Sequence, residues 1–527
     1  MFFPILHIPG LGDGMTIALD AVLHVFISHG VAIGLVTMIV LFQTLAWRGR
    51  GEFWAQFGHR LLVPVVVVIT AVGAVTGVGI WFITGALAPE GIGSLIHLFF
   101  WPWFIEWMAF TGEVIFLLVY YYLWRKLAAE RPGLLTFMGW GYVVMAVSSA
   151  FLITGILGFM LTPDGWPWGK LFTEAYFNPT FIPQFFLRVS GGVAMGSLLA
   201  LAWAAWRFKG TREERGRVLR VCGIVLLSAV VTAGLSASVY FSRVPQTYLT
   251  HWRFAVATSA LSQDTALLPV INAAAALFIL ILALAALFRR QGWSRALCFP
   301  ALVLSLGLMT EFERVREFVR GPYLLPGYMY ANQIVLAEHE ALSARDAPLL
   351  PRIRWLNRYK DMSPDESAGR ALFDVNCGVC HTVGGINDIR ARLAGRTQDG
   401  VNVIIGLTEE LAPFMTPFTG SDRERLQLAD YLYTLTNPGP RMDRTIPPPA
   451  PQTASTANKD RQSRPRGPIS FWPCPCRKTG RTACCSSPSG CTFCSFCSCS
   501  ARRCWASSSS SGNGCAATPN PSCGTAR

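Results

Sequence analysis

The stretch LLVPVVVVITAVGAVTGVGIWFITGA, residues 61–86, contains no Asp, Glu, Lys or Arg. A helix needs about 20 consecutive apolar residues to cross the hydrocarbon core of a bilayer, and this stretch supplies them. Residues 16–46, 95–124, 136–161, 181–206, 217–241, 267–288 and 296–312 read the same way. In chain order these are spans 1 to 8, with residues 61–86 as span 2. The region Met1 to Asp20 lacks the basic start of a signal peptide, and its apolar run continues too long for one, so it is read as the beginning of span 1. Composition agrees: 527 residues, 52% hydrophobic and 14% charged, with a mean hydropathy of +0.39. The expected fold is all-α, a polytopic transmembrane helical bundle of about eight spans followed by a small all-α soluble domain.

A net charge of +14 suggests nucleic acid only if the basic residues form a surface, and here they do not. They fall in short clusters between spans and in a tail after Ala457, so no nucleic-acid partner is expected. Arg48, Arg50 and Arg60 fill the first connection and Arg125, Lys126 and Arg131 the third. The fifth holds Arg207, Lys209, Arg212, Arg215 and Arg217, and the seventh Arg289, Arg290 and Arg295. The even-numbered connections are nearly free of Lys and Arg. The positive-inside rule then makes the odd connections cytoplasmic, the N-terminus external and everything after about Glu311 external. The expected location is a bacterial inner membrane in contact with lipid, crossed several times.

Cys377-Gly378-Val379-Cys380-His381 is a C-x-x-C-H haem attachment sequence. Its two thiols take thioether bonds to the vinyl groups, and the adjacent imidazole reaches the iron. Ser363 caps a short helix leading into it, and Gly384-Gly385 makes the turn after it. Farther on, Met415 lies between Pro413 and Pro417 and offers a thioether to the opposite face of the iron. An amphipathic helix follows from Ser421 to Leu435, with Leu426, Ala429 and Leu432 on one side. The alternatives are a core filler for Met415 and a zinc half-site for the Cys-Cys-His group, although no second cysteine pair follows within the domain. This region resembles a class I cytochrome c with covalent haem c. Haem c is attached outside the cytoplasmic membrane in bacteria, which agrees with the sidedness from arginine counting.

Ionisable residues at membrane depth are costly and mark functional sites. They are Asp20, His24 and His29 in span 1, His97, Glu106 and Glu113 in span 3, and Arg188 in span 5. His24 and Glu106 come to similar depth, and Glu106 and Glu113 share a helix face. An imidazole facing a carboxylate can ligate haem iron, and a carboxylate ladder can pass protons. The alternative for each is a plain hydrogen bond to a neighbouring helix.

Ala18-Leu19-x-Ala21-x-x-His24, Ile105-Glu106 with Met108-Ala109-Phe110 and Glu113, Gly158-Phe159-Met160 with Pro163, Asn178-Pro179, and Glu317-x-x-Arg320-x-Pro322 with Gly327 occur in this order. Over roughly residues 15–335 this set resembles subunit I of the cytochrome bd quinol oxidases. The resemblance implies that His24, Glu106 and Glu317 surround paired high-spin haems, haem b and/or haem d, where oxygen is reduced. It places Arg320 beside them and Glu113 on a proton path, and it implies a hetero-oligomer with other membrane subunits. Three departures stand against it. Leu187 followed by Arg188 occupies the place of the low-spin haem histidine, residues 266–288 contain no methionine, and the connection from Tyr240 to Thr265 is short and lacks a clear Lys and Glu pair of the quinol loop.

The expected organisation is a membrane haem domain at 1–335, a linker at 336–357, a cytochrome c domain at 358–437 and a Pro-rich linker at 438–468. Residues 469–527 form a Cys/Ser/Arg-rich tail that holds all but four of the 15 cysteines. The four outside it are Cys222, Cys298, Cys377 and Cys380. Read in a shifted frame, the tail decodes as a Leu-rich run of spanning length, so a frameshifted further transmembrane helix is expected, with a disulfide- or metal-rich module as the alternative. The expected activity is a cytochrome bd-like oxidase fed through haem c by periplasmic cytochromes or quinol. The alternatives are a transmembrane relay between quinol and periplasmic cytochromes, and a transporter bundle with a tethered sensor haem.

Overall fold

A computed structural model describes residues 7–163, 166, 172–252, 267–345, 348–353, 359 and 361–437, all within one compact unit. Among them eight helices are long and apolar enough to cross a membrane. Span 1 is Asp13–Trp47, span 2 Phe53–Leu87, span 3 Phe100–Glu130, span 4 Pro132–Phe159, span 6 Arg212–Arg243 and span 8 Gln291–Phe318. Span 5 is Phe181–Arg207 and span 7 Leu267–Leu287. All eight expected spans are present, and most run beyond their apolar stretch because a helix continues past the hydrocarbon core. One boundary is corrected. A separate helix, Pro89–Leu98, opens with a proline and ends at Phe99, so His97 lies on it and not in span 3.

The bundle is organised around spans 1 and 5. Span 5 packs against spans 1, 4, 6 and 8, and span 1 packs against spans 2, 4, 5 and 8. Lipid tails are as apolar as leucine, so close backbone approach rather than the hydrophobic effect selects such neighbours. Gly34 and Gly196 supply that approach: a Cβ at Gly196 would lie 2.1 Å from the Gly34 carbonyl carbon. The crossing falls within a π-helical stretch of span 1, Phe26–Leu35. This packs on a second π-helical stretch in span 2, Val68–Gly73. Widened turns of this kind are rare and recur at functional sites.

Contacts between connections fix which ends go together. Arg60 Nη1 donates to Lys209 O at 3.5 Å, Gln291 Nε2 donates to Arg212 O at 2.7 Å, and the Trp47 ring lies over Gly133. The four odd connections therefore share one end of the bundle. At the other end a hairpin of β1 (Tyr323–Leu325) and β2 (Met329–Tyr330) pairs antiparallel. Beyond it Gln333 accepts from Glu90 N at 3.1 Å and donates to Leu87 O at 3.1 Å.

Two capped helices frame the C-terminal domain. Ser363 accepts from Glu366 N and opens Pro364–Asn376. Ser421 and Glu424 form a reciprocal capping box on Asp422–Thr436. The two helices pack together with Gln398–Gly406 against the second. The buried face of Asp422–Thr436 carries Leu428, Ala429 and Leu432, whereas Leu426 is exposed. The expectation for Leu426 is thus corrected: two residues from Leu428, it points to the opposite side of the helix. The stretch expected as a linker at 336–357 carries a helix, Leu336–Arg345. Residues 253–266, which hold most of the Tyr240–Thr265 connection, lie outside the described residues, as do the Pro-rich linker and the tail.

The span 1–span 5 crossing leaves no room for a side chain. Gly196→Ala is expected to lower the midpoint of thermal inactivation in detergent, by an overpacking cost of about 1–3 kcal/mol. Gly191→Ala, where an added Cβ meets nothing within 4 Å, is expected to be neutral or stabilising. Equal midpoints would contradict the close crossing.

Candidate haem sites

Span 8 ends with Glu313, Arg316 and Glu317 on one helix face, three or four residues apart, and Arg320 follows two residues past its last residue, Phe318. Arg188 on span 5 meets this face, with Nη2 2.6 Å from Glu313 Oε1 and 2.7 Å from Oε2. Arg316 Nε lies 3.3 Å from Glu313 Oε2 and its Nη2 3.6 Å from Glu317. Arg320 donates to Glu317. The side chains of Arg188, Arg316 and Arg320 are 3%, 8% and 2% exposed. Three guanidinium groups therefore face two carboxylates in a low dielectric.

The excess of donors is not met among the described residues. Arg188 Nε, Arg316 Nη1 and Arg320 Nη1 are buried without a hydrogen-bond partner, and so are Tyr240 OH, His29 Nε2 and the Gln184 amide. Gln184 and Arg188 are one turn apart on span 5, and His29 and Tyr240 stand within electrostatic reach of Arg188 and Glu313. Orphaned buried donors are rare in native proteins. This set, cationic and rich in N–H and O–H, fits an anionic group rich in acceptors, such as the carboxylates of a haem.

His24 sits where span 1 faces span 2. Its Nδ1 is 3.2 Å from Thr76 Oγ1, and the Thr76 hydroxyl is itself directed at Val72 O, 2.8 Å away. The imidazole therefore donates from Nδ1 and keeps the Nε2 lone pair, the state of a metal ligand held from its second nitrogen. Glu106 accepts from Ser149 at 2.8 Å, and Glu113 accepts from Tyr142 OH at 2.8 Å. His24 and Glu106 thus take partners on different helices, spans 2 and 4, whereas Glu317 and Arg320 share one network at the end of span 8.

The Cys377–His381 loop, the expected haem-attachment loop, follows Pro364–Asn376 directly. Cys377 and Cys380 are free thiols. His381 Nδ1 lies 3.3 Å from Asn387 O. Burial lowers the His381 pKa, and the hydrogen bond to Asn387 opposes the shift only in part. The ring is therefore neutral, with Nδ1 donating and Nε2 available. Asn376 ties the Met415 loop to the residue before Cys377: its carboxamide accepts from Thr419 N at 2.9 Å and donates to Thr419 O at 3.3 Å. Thr416 Oγ1 donates to Asn376 O at 3.3 Å. Two free thiols, an imidazole with Nε2 available and a thioether on a loop tied to Asn376 make a donor set of the kind that a covalent haem takes. Among the described residues no group of three or more His, Cys, Asp or Glu side chains could hold a bare metal ion.

Sequence reasoning singled out Arg188 but missed its partner Glu313, and it missed Arg316. The signal lay in the run EFERVREFVR, residues 311–320, where acids and bases recur at three- and four-residue spacing. Removing one partner of a buried pair strands the other charge, at a cost of about 3–5 kcal/mol. Arg188→Ala is accordingly expected to destabilise the solubilised protein severely in thermal inactivation. The double change Arg188→Met with Glu313→Met is expected to restore part of the loss, since Arg316 then keeps Glu317 alone. A double variant no better than the single one would contradict the pairing.

Residues 15–239 match the family model described as cytochrome bd terminal oxidase subunit I. The fold is similar to "The structure of bd oxidase from Geobacillus thermodenitrificans", at 18% identity and a TM-score of 0.51, covering 61% of this chain and 90% of that one. No curated protein matches the chain. Residues 15–239 of this chain are thus similar in sequence to subunit I of the cytochrome bd terminal oxidases, and the chain shares the fold of a bd oxidase.

Proposed function

We propose that the chain is a haem-carrying subunit of a bd-type respiratory oxidase that takes electrons through a covalent haem c on residues 358–437. Oxygen or a similar acceptor is reduced at a haem b or haem d site in the bundle. Two features of one compact unit carry this reading together: a bd subunit I-like bundle and a Cys-x-x-Cys-His loop whose imidazole is held at Nδ1 by Asn387 O.

Cys377 and Cys380 attach haem c, with His381 and Met415 as its axial ligands. In the bundle His24, Glu106 and Glu317 hold the haem, and Arg320 and Arg316 neutralise its carboxylates. When bound, the haems supply one-electron chemistry and the site for the acceptor. The protein's own part in the reaction is protonic and electrostatic. Glu106 and Glu113 lie two turns apart, about 10.5 Å along span 3 at 1.5 Å per residue. Each is fixed by a hydroxyl donor from span 4, and a proton carried on one carboxyl would reach the other through intervening water. The Arg188–Glu313 pair stands where the resemblance places a low-spin haem ligand. This favours electron entry by haem c from periplasmic cytochromes over direct oxidation of quinol. Arginine clustering and the chemistry of haem c attachment both put the C-terminal domain on the periplasmic face of the inner membrane, and homologous partner subunits complete the assembly.

Cys377→Ser and Cys380→Ser are each expected to abolish haem staining on a denaturing gel while the membrane haem spectrum persists. Oxygen uptake driven by reduced cytochrome c is expected to fall to background in both. His24→Ala is expected to remove a b-type or d-type signal and leave haem c intact. Haem staining that survives both serine variants would refute the attachment. A full membrane haem spectrum in His24→Ala would refute that ligand. A wild-type protein with both haems but no oxygen uptake would favour the relay between quinol and periplasmic cytochromes.

A further inference from the structure

Span 1 is preceded by a segment that grips the haem-attachment loop. Gly14 N donates to Val379 O at 3.2 Å, and Ile386 N donates to Gly10 O at 2.8 Å. These backbone bonds run in opposite directions and bracket His381 on the loop. At the start of the segment His7 Nδ1 lies 2.9 Å from Asp13. His7 Nε2 lies 3.3 Å from Arg370 Nη2 and 3.8 Å from Asp374, both on the helix that leads into Cys377. On the other side, Leu11 and Met15 share a cleft with Val379, Cys380 and Phe318, the last residue of span 8. Phe414, beside Met415, completes the contact, since a Cβ at Gly321 would lie 2.7 Å from Phe414 O.

We propose that residues His7–Gly14 are a docking element that seats the cysteine edge of the haem-attachment loop on the joined ends of spans 1 and 8. The contact makes that edge an internal electron-transfer surface. This rests on the haem c reading above and adds the route. With both haems bound, one electron would pass from ferrous haem c to the ferric membrane haem with no bond made or broken, and a reduced periplasmic donor would restore the ferrous haem c. Phe318 and the Glu317–Arg320 pair lie on the membrane side of the cleft, so the path into the bundle begins beside the residues assigned to the membrane haem. The external donor then approaches haem c from a face that His7–Gly14 does not cover.

Two glycines give the means to open the contact from either side. A Cβ at Gly385 would lie 1.9 Å from Gly10 O, and one at Gly14 would lie 2.7 Å from Val379 O. The test uses the full-length, haem-loaded protein in detergent, as wild type, Gly385→Val and Gly14→Val. Amide hydrogen exchange is followed in the peptides that carry Gly14 and Ile386. Reduction of haem c and of the membrane haem is followed separately by stopped-flow absorbance after mixing with a reduced donor. Both peptides are expected to be protected in the wild type and to exchange at least about tenfold faster in both variants. Haem c is expected to be reduced at the wild-type rate while membrane haem reduction slows at least tenfold. Rapid exchange in the wild type would overturn the docking. Released peptides with unchanged membrane haem reduction would overturn the electron route. Protected peptides in a protein without a membrane haem spectrum would refute the oxidase reading, and the route with it, and leave the docking contact standing.

Discussion

The cost of charge in a low dielectric governs this architecture. Arg188 and Glu313 are both buried, and Arg188 stays ionised there because Glu313, which also pairs with Arg316, faces it. Their pairing fixes the depth and rotation of span 5 against span 8. It also sets the face on which Arg316, Glu317 and Arg320 continue toward the end of span 8. The same constraint explains the hydroxyl partners of Glu106 and Glu113 and the threonine behind His24. In each case a polar neighbour on an adjacent helix lets an ionisable side chain sit among apolar ones. Where such partners run out, at Arg188 Nε, Arg316 Nη1, Arg320 Nη1 and Tyr240 OH, the unmet donors gather in one place and define a site for an acceptor-rich group.

Much of this was legible in the sequence, because membranes impose few solutions. Backbone groups in hydrocarbon must bond within a helix, so an uncharged run such as residues 61–86 leaves only one fold for that segment. Local signals were equally direct: Ser363 caps the helix that it predicts, and the helix expected from Ser421 begins there. Phase and partnership were less legible. The sequence of the last C-terminal helix offers both Leu426 and Leu428, and only packing against Pro364–Asn376 decides that Leu428 faces inward. Span 3 was expected to begin at residue 95, but Pro89–Leu98 is a helix of its own and carries His97.

The candidate site shows the same division. The C-x-x-C-H spacing of Cys377, Cys380 and His381 was legible in the sequence because these residues are near neighbours in the chain. Residues that meet only through tertiary structure were not. Glu313 lies 125 residues from Arg188, and Tyr142 lies 29 residues from Glu113. No periodicity connects such pairs. The contact of His7–Gly14 with the loop around Val379 and Ile386 is longer in range still, and its glycine-rich sequence resembles any loop. It ties the first described residues of the chain to the C-terminal domain and brings both ends of the bundle sequence, spans 1 and 8, beneath one haem-attachment loop.

The central claim is that one chain carries two kinds of haem, one covalent and one held by the bundle. Pyridine haemochrome analysis of the purified protein, before and after acid-acetone extraction, tests it most directly. The account predicts one non-extractable haem c per chain together with at least one extractable b-type or d-type haem. A protein that yields only haem c, or only extractable haem, would contradict it.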